Sequence, residues 1–99
     1  MARVEAAAEV ADDLDRILDH LLLHEVGDAA YRVSDIIAAI SVLESNPLIG
    51  RPTEGGKREL VIGRGIRSYL ALYRYIPEIE TVFVLAVRSS RDAGYPGRS

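Results

Sequence analysis

With 99 residues, 48% of them apolar and no cysteine, the chain suits one domain with a modest core, and neither a disulfide framework nor a thiolate metal site is available to it. The net charge of −3 is unevenly spread: residues 1–45 set three arginines against ten acids, residues 46–99 nine bases against five acids. That balance argues against general nucleic-acid binding but allows a local basic patch on the C-terminal half. No run reaches the roughly 18 apolar residues of a membrane span, and the acid-rich N-terminus does not read as a signal peptide, so a soluble, cytoplasmic protein is expected.

Residues 1–4 could form a first strand leading into a helix. From Ala6 to about Glu25, Val10, Leu14, Ile17, Leu18 and Leu21 fall on one helical face. Asp12, Asp13, Asp15 and Asp19 fall elsewhere on the wheel and read as a solvated face. Gly27 is expected as the left-handed residue ending this helix and Asp28 as the N-cap of the next. The second helix is predicted over 29–44, with Val33, Ile36, Ile37, Ile40 and Leu43 buried, and it stops before Pro47. So short a connection makes the pair an antiparallel helical hairpin.

Residues 48–57 hold Gly50, Pro52, Gly55 and Gly56 and read as a loop. Strands are predicted over 58–62, 68–76 and 81–88, separated by turns at Gly63–Gly65 and Pro77–Glu78. Residues 89–99 read as a flexible polar tail. The expected fold is α+β, the hairpin packed on one face of a three- to four-stranded antiparallel sheet.

The two long strands are apolar on both faces. Leu70 and Leu72 alternate with Tyr69, Ala71, Tyr73 and Tyr75; Val82, Val84 and Ala86 alternate with Phe83, Leu85 and Val87. A half-solvated antiparallel sheet should alternate apolar with polar. One hairpin covers one face, so the other face is expected to meet a tail, a second copy or a protein partner.

The sequence resembles the RelE/ParE superfamily of type II toxin–antitoxin toxins, and within it the ParE-like, plasmid-stabilisation branch. The resemblance rests on five pieces in register: Val10-Ala11-Asp12-Asp13-Leu14-Asp15-Arg16-Ile17 in the first helix, Asn46-Pro47-Leu48-Ile49-Gly50-Arg51 after the second, Lys57 to Ile62, Tyr69 with Tyr73-Arg74-Tyr75, and Val82 to Arg88 followed by Arg91 to Tyr95. It implies a neutralising antitoxin whose C-terminal segment lies across the helices and sheet, with Leu70, Leu72, Val82 and Val84 as the contact candidates. It also implies one of two targets. A ParE-like toxin inhibits DNA gyrase by protein binding and requires no catalytic residue; Arg64, Arg67, Arg74, Arg88, Arg91 and Tyr95 are the candidate target surface. A RelE-like toxin cuts mRNA in the ribosome without a metal, and Arg67, Arg74, Arg88, Arg91 and Tyr95 would then serve as phosphate clamp and proton-transfer groups. Leu70 stands where RelE-like toxins carry an arginine, which favours the gyrase reading. A degenerate toxin kept as a binding module, or an inert relic, is the third possibility.

No cofactor, membrane contact or specific DNA binding by the chain alone is expected, and a hetero-oligomer with the antitoxin is possible. His20 and His24 have a spacing that can hold a metal, but no third ligand clusters with them, so no metal site is assigned. Gly55-Gly56-Lys57 lacks the spacing of a phosphate loop. Ser34, Ser41 and Ser45 have no base at a plausible spacing.

Overall fold

A computed structural model describes residues 1–24, 27–65 and 68–90. The elements in chain order are β1 (Arg3–Ala6), α1 (Ala8–Leu23), α2 (Ala29–Ser41), β2 (Arg51–Pro52), β3 (Arg58–Ile62), β4 (Tyr69–Ile76) and β5 (Thr81–Ser89). The sheet order is β1-β5-β4-β3-β2, with β1 parallel to β5 and every other pair antiparallel. The sheet is thus five-stranded and mixed, where three or four antiparallel strands were expected. β1 is the first strand expected at residues 1–4, set two residues later and parallel to β5, whereas β2 is two residues containing a proline and carries no strand signal of its own.

Both helices cover one face of the sheet. Val10 of α1, Ile36 of α2 and Leu43 just beyond it pack on Tyr69, Ala71, Tyr73, Val82, Val84 and Val87. Burying each large aliphatic side chain contributes about 1.5–3 kcal/mol relative to exposure, so this row is the main source of stability. Val87 belongs to the core row and not to the opposite face. Tyr73 pairs with Val84 while Leu72 pairs with Ala86, so Leu85 is an extra residue on β5. Such a bulge shifts the alternation by one, which places Val87, wholly buried, in line with Val82 and Val84.

The helix ends differ from expectation in detail. α1 begins only at Ala8, because Ala6 is taken by β1, and it closes with His24 as C-cap, so Gly27 lies beyond the terminating position. Asp28 is the N-cap of α2, but its carboxylate accepts from Arg32 Nε at 3.1 Å and caps no backbone N–H. α2 tightens into a single 3₁₀ turn over Val42–Glu44 before Asn46-Pro47. No described helix is long and apolar enough to cross a membrane.

Candidate partner-binding surface

The outer face of the sheet, away from the helices, carries Leu70 and Leu72 from β4, Phe83 and Leu85 from β5, and Val61 from β3. Strand register sets Leu70 beside Val61 and Arg74 beside Phe83. Val61 is 47% exposed and the other four are half-buried. Side chains across strands shield one another, so this face is less open than the strand pattern alone implies. Val82 and Val84 lie on the opposite face, wholly buried under the helices. Of the four candidate antitoxin contacts, only Leu70 and Leu72 are therefore reachable by a partner while the fold is intact.

β1 stops at Ala6, and α1 closes the rest of that sheet edge. The Ala7 N–H donates to the Val84 carbonyl at 2.9 Å. Further on, the Asp13 side chain takes the place of a strand: Oδ2 accepts from the Val87 N–H at 2.9 Å, and Oδ1 accepts from Arg88 Nη1 at 2.7 Å and Arg16 Nη1 at 3.1 Å. The side chains of Asp13 and Arg88 are 3% and 8% exposed. Asp13 is thus no part of a solvated face. Arg88 is turned inward onto an acid of its own chain, away from any external phosphate or partner. Helical periodicity places Asp13 outside the main apolar stripe but cannot show that β1 ends too early to cover β5.

The segment between α2 and β3 is held by two side chains. The Tyr73 hydroxyl accepts from the Gly50 N–H at 2.9 Å and donates to the Pro47 carbonyl at 2.8 Å. Arg58 Nη1 donates to the Gly50 and Leu48 carbonyls at 2.7 and 3.2 Å. A Cβ on Gly50 would sit 2.7 Å from the Tyr73 ring and hydroxyl, so only glycine fits here. Arg74 Nη2 donates to the Gly55 carbonyl at 2.8 Å, and Arg51 forms a fork with Glu59 at 3.0 and 2.6 Å. Arg64, in the β3–β4 turn, is exposed and meets no acid among the described residues. Arg67, Arg91, Tyr95 and the expected tail lie outside the described residues, apart from Ser89 at the end of β5 and Ser90.

Residues 4–94 match the family model for the ParE toxin of the type II toxin–antitoxin system, parDE. The chain belongs to the ParE toxin family. A chromosomal ParDE toxin–antitoxin system from P. aeruginosa superposes with a TM-score of 0.74 at 28% identity, over 90% of this chain and 96% of that one. The RelBE2 toxin–antitoxin complex of Mycobacterium tuberculosis superposes with a TM-score of 0.54 at 25% identity, over 89% and 96%. No curated protein matches the sequence. This ParE-family chain is the toxin component of a type II toxin–antitoxin system.

The chain also exposes apolar side chains outside its core, among them Ile37, which was expected to be buried. Leu22 and Leu23 end α1; Tyr31 (77% exposed) and Ile37 lie on the outer side of α2; Leu48 and Ile49 lie in the following loop. An unfilled stretch of helix wheel beside Asp35, Ser34 and Ala38 was the available signal for the α2 residues. The His20 and His24 rings lie tilted at 39° with centroids 4.3 Å apart, and His24 Nδ1 lies 2.9 Å from the His20 carbonyl. Among the described residues no three His, Asp or Glu side chains cluster as metal ligands.

Proposed function

We propose that this ParE-family toxin inhibits DNA gyrase by binding it, and that a cognate antitoxin neutralises it by covering the outer sheet face around Leu70 and Leu72 and the exposed side of the hairpin. Inhibition of gyrase is the general role of the family the chain belongs to. The observation that carries the choice is Arg88. A ribonuclease reading asks for free guanidinium groups on the sheet to hold a phosphate. Arg88 is buried against Asp13, and Arg74 is engaged by the Gly55 carbonyl. Leu70 offers no charge. A binding-only mechanism requires none of these as a catalyst and uses exposed cations such as Arg64 as contacts. The antitoxin reading is supported by the two similar structures, one from a ParDE system and the other a RelBE2 toxin–antitoxin complex.

Purified gyrase tests the proposal. The free chain is expected to block supercoiling and to leave ribosome-bound mRNA intact, and the antitoxin is expected to restore supercoiling. Specific cuts in ribosome-bound message with unaffected gyrase would overturn it in favour of the RelE-like activity.

A further inference from the structure

The end of α1 carries two imidazoles on one side of the helix. His20 and His24 are four residues apart, and residues so spaced are neighbours on a helix surface. Both are exposed. Their ring centroids already lie 4.3 Å apart. Two histidines at this spacing on a helix bind one metal ion in zinc enzymes. With metal–nitrogen bonds of about 2.0–2.1 Å at a tetrahedral angle, the two ligand nitrogens stand roughly 3.3 Å apart. A small rotation of two exposed rings reaches that separation.

Two further features suit a cation. His24 Nδ1 lies 2.9 Å from the His20 carbonyl, so Nε2 is the ring nitrogen that remains to a metal. Metal-binding histidines commonly anchor their second nitrogen on a backbone carbonyl, which orients the ring before the ion arrives. The charge environment is also favourable. α1 holds Glu9, Asp12, Asp13, Asp15 and Asp19 against Arg16 alone. Arg16, one turn before His20, is drawn to Asp13 at 3.1 Å. His24 is the C-cap, so the pair sits at the negative end of the helix dipole.

We propose that His20 and His24 form a binding site for one divalent transition-metal ion of the class that imidazole suits, Zn²⁺, Ni²⁺ or Cu²⁺. Mg²⁺ and Ca²⁺ prefer oxygen ligands and are not taken. Two protein ligands are fewer than a closed structural site uses, so water completes the coordination. The chelate runs from inside α1 to its C-cap, so the bound ion holds the final turn against fraying where the chain leaves for α2. The site rests on neither the gyrase nor the antitoxin reading, so its test uses the free chain.

Metal titration of the untagged chain tests the inference. Zn²⁺ is expected to shift the NMR ring signals of His20 and His24 together, saturating at one ion per chain, whereas Mg²⁺ shifts neither. In calorimetry with Ni²⁺, His20→Gln and His24→Gln are each expected to weaken binding at least about tenfold, since each removes one of the two ligands. Both residues are exposed, so the variants should melt like the parent without metal. Added Zn²⁺ should raise the melting temperature of the parent and of neither variant. Equal Ni²⁺ affinity in all three proteins, or a Zn²⁺ response confined to one ring, would overturn the site. Uptake of one ion per two chains with a doubling of the mass in solution would assign the histidines to a contact between copies and overturn the one-ion, one-chain chelate.

Discussion

The Asp13 carboxylate on α1 and the Arg88 guanidinium on β5 meet at 2.7 Å although 75 residues separate them in the chain. Together with the Val87 N–H, this contact closes a sheet edge with a helix where a strand has run out. A buried pair of this kind stabilises little over an apolar equivalent, but breaking one side leaves a buried charge without compensation.

Asp13→Ala is therefore expected to cost about 3–5 kcal/mol. It strands the Arg88 charge and leaves the Val87 N–H without an acceptor. Asp13→Asn keeps an acceptor for that N–H and should cost less. The double variant Asp13→Leu with Arg88→Met should be more stable than Asp13→Ala, since no charge is left buried. Urea unfolding midpoints measure all three, and a silent Asp13→Ala would contradict the buried pairing.

The Gly50–Tyr73 contact gives a second expectation. Gly50→Ala forces a Cβ against the tyrosine ring and the Glu59 carbonyl, at 2.7 and 3.0 Å. Overpacking of this kind costs about 1–3 kcal/mol. Tyr73→Phe removes the acceptor of the buried Gly50 N–H and the donor to Pro47, again costing about 1–3 kcal/mol. Because the hydroxyl is one of the atoms the added methyl group would strike, the two changes should couple in the double variant. Thermal melts of the four proteins check this, and strict additivity would count against the clash.

The two sheet faces can be told apart by charge insertion. Val84→Asp places a carboxylate at a wholly buried site among aliphatic side chains and should abolish folding, seen as loss of the cooperative melt. Leu72→Asp, half-buried on the outer face, should leave a folded protein and weaken antitoxin binding, measured by calorimetry. Equal antitoxin affinity for a folded Leu72→Asp protein would remove the outer face from the interface.

Much of this architecture was legible in the residues. The runs of aromatic and branched residues at 58–62, 68–76 and 81–88 carry β3, β4 and β5 to within a residue, and the apolar stripe and Pro47 carry the hairpin. What escaped depends on tertiary context. The two-residue β2 is too short to bias its own sequence, and the parallel pairing of β1 with β5 cannot be read from residues 1–4. The Leu85 bulge is invisible until β5 is set against β4, and it alone decides that Val87 joins the core. Asp13 looks like its acidic neighbours along α1, and only the early end of β1 makes it a sheet-edge acceptor. For the candidate site the same limit applies: an arginine's type suggests anion contact, whereas Arg88 and Arg74 are occupied by partners that lie 75 and 19 residues away.

Arg64 remains as the described candidate cation with neither an acid nor a carbonyl engaged. It is exposed in a turn between Gly63 and Gly65, whose positive φ angles other residues would not readily adopt at those two positions. Arg64→Glu should leave stability within about 0.5 kcal/mol, as exposed substitutions usually do. It should also lower gyrase inhibition several-fold, because reversing an exposed contact charge slows association and weakens the complex. Tyr95→Phe should leave gyrase inhibition unchanged, since a binding surface does not depend on that hydroxyl for proton transfer, whereas a nuclease using it as a donor would lose activity. Supercoiling assays on the two variants check both expectations. Full inhibition by Arg64→Glu would remove this turn from the target surface, and lost toxicity in Tyr95→Phe with mRNA cleavage abolished would return the chain to the nuclease reading.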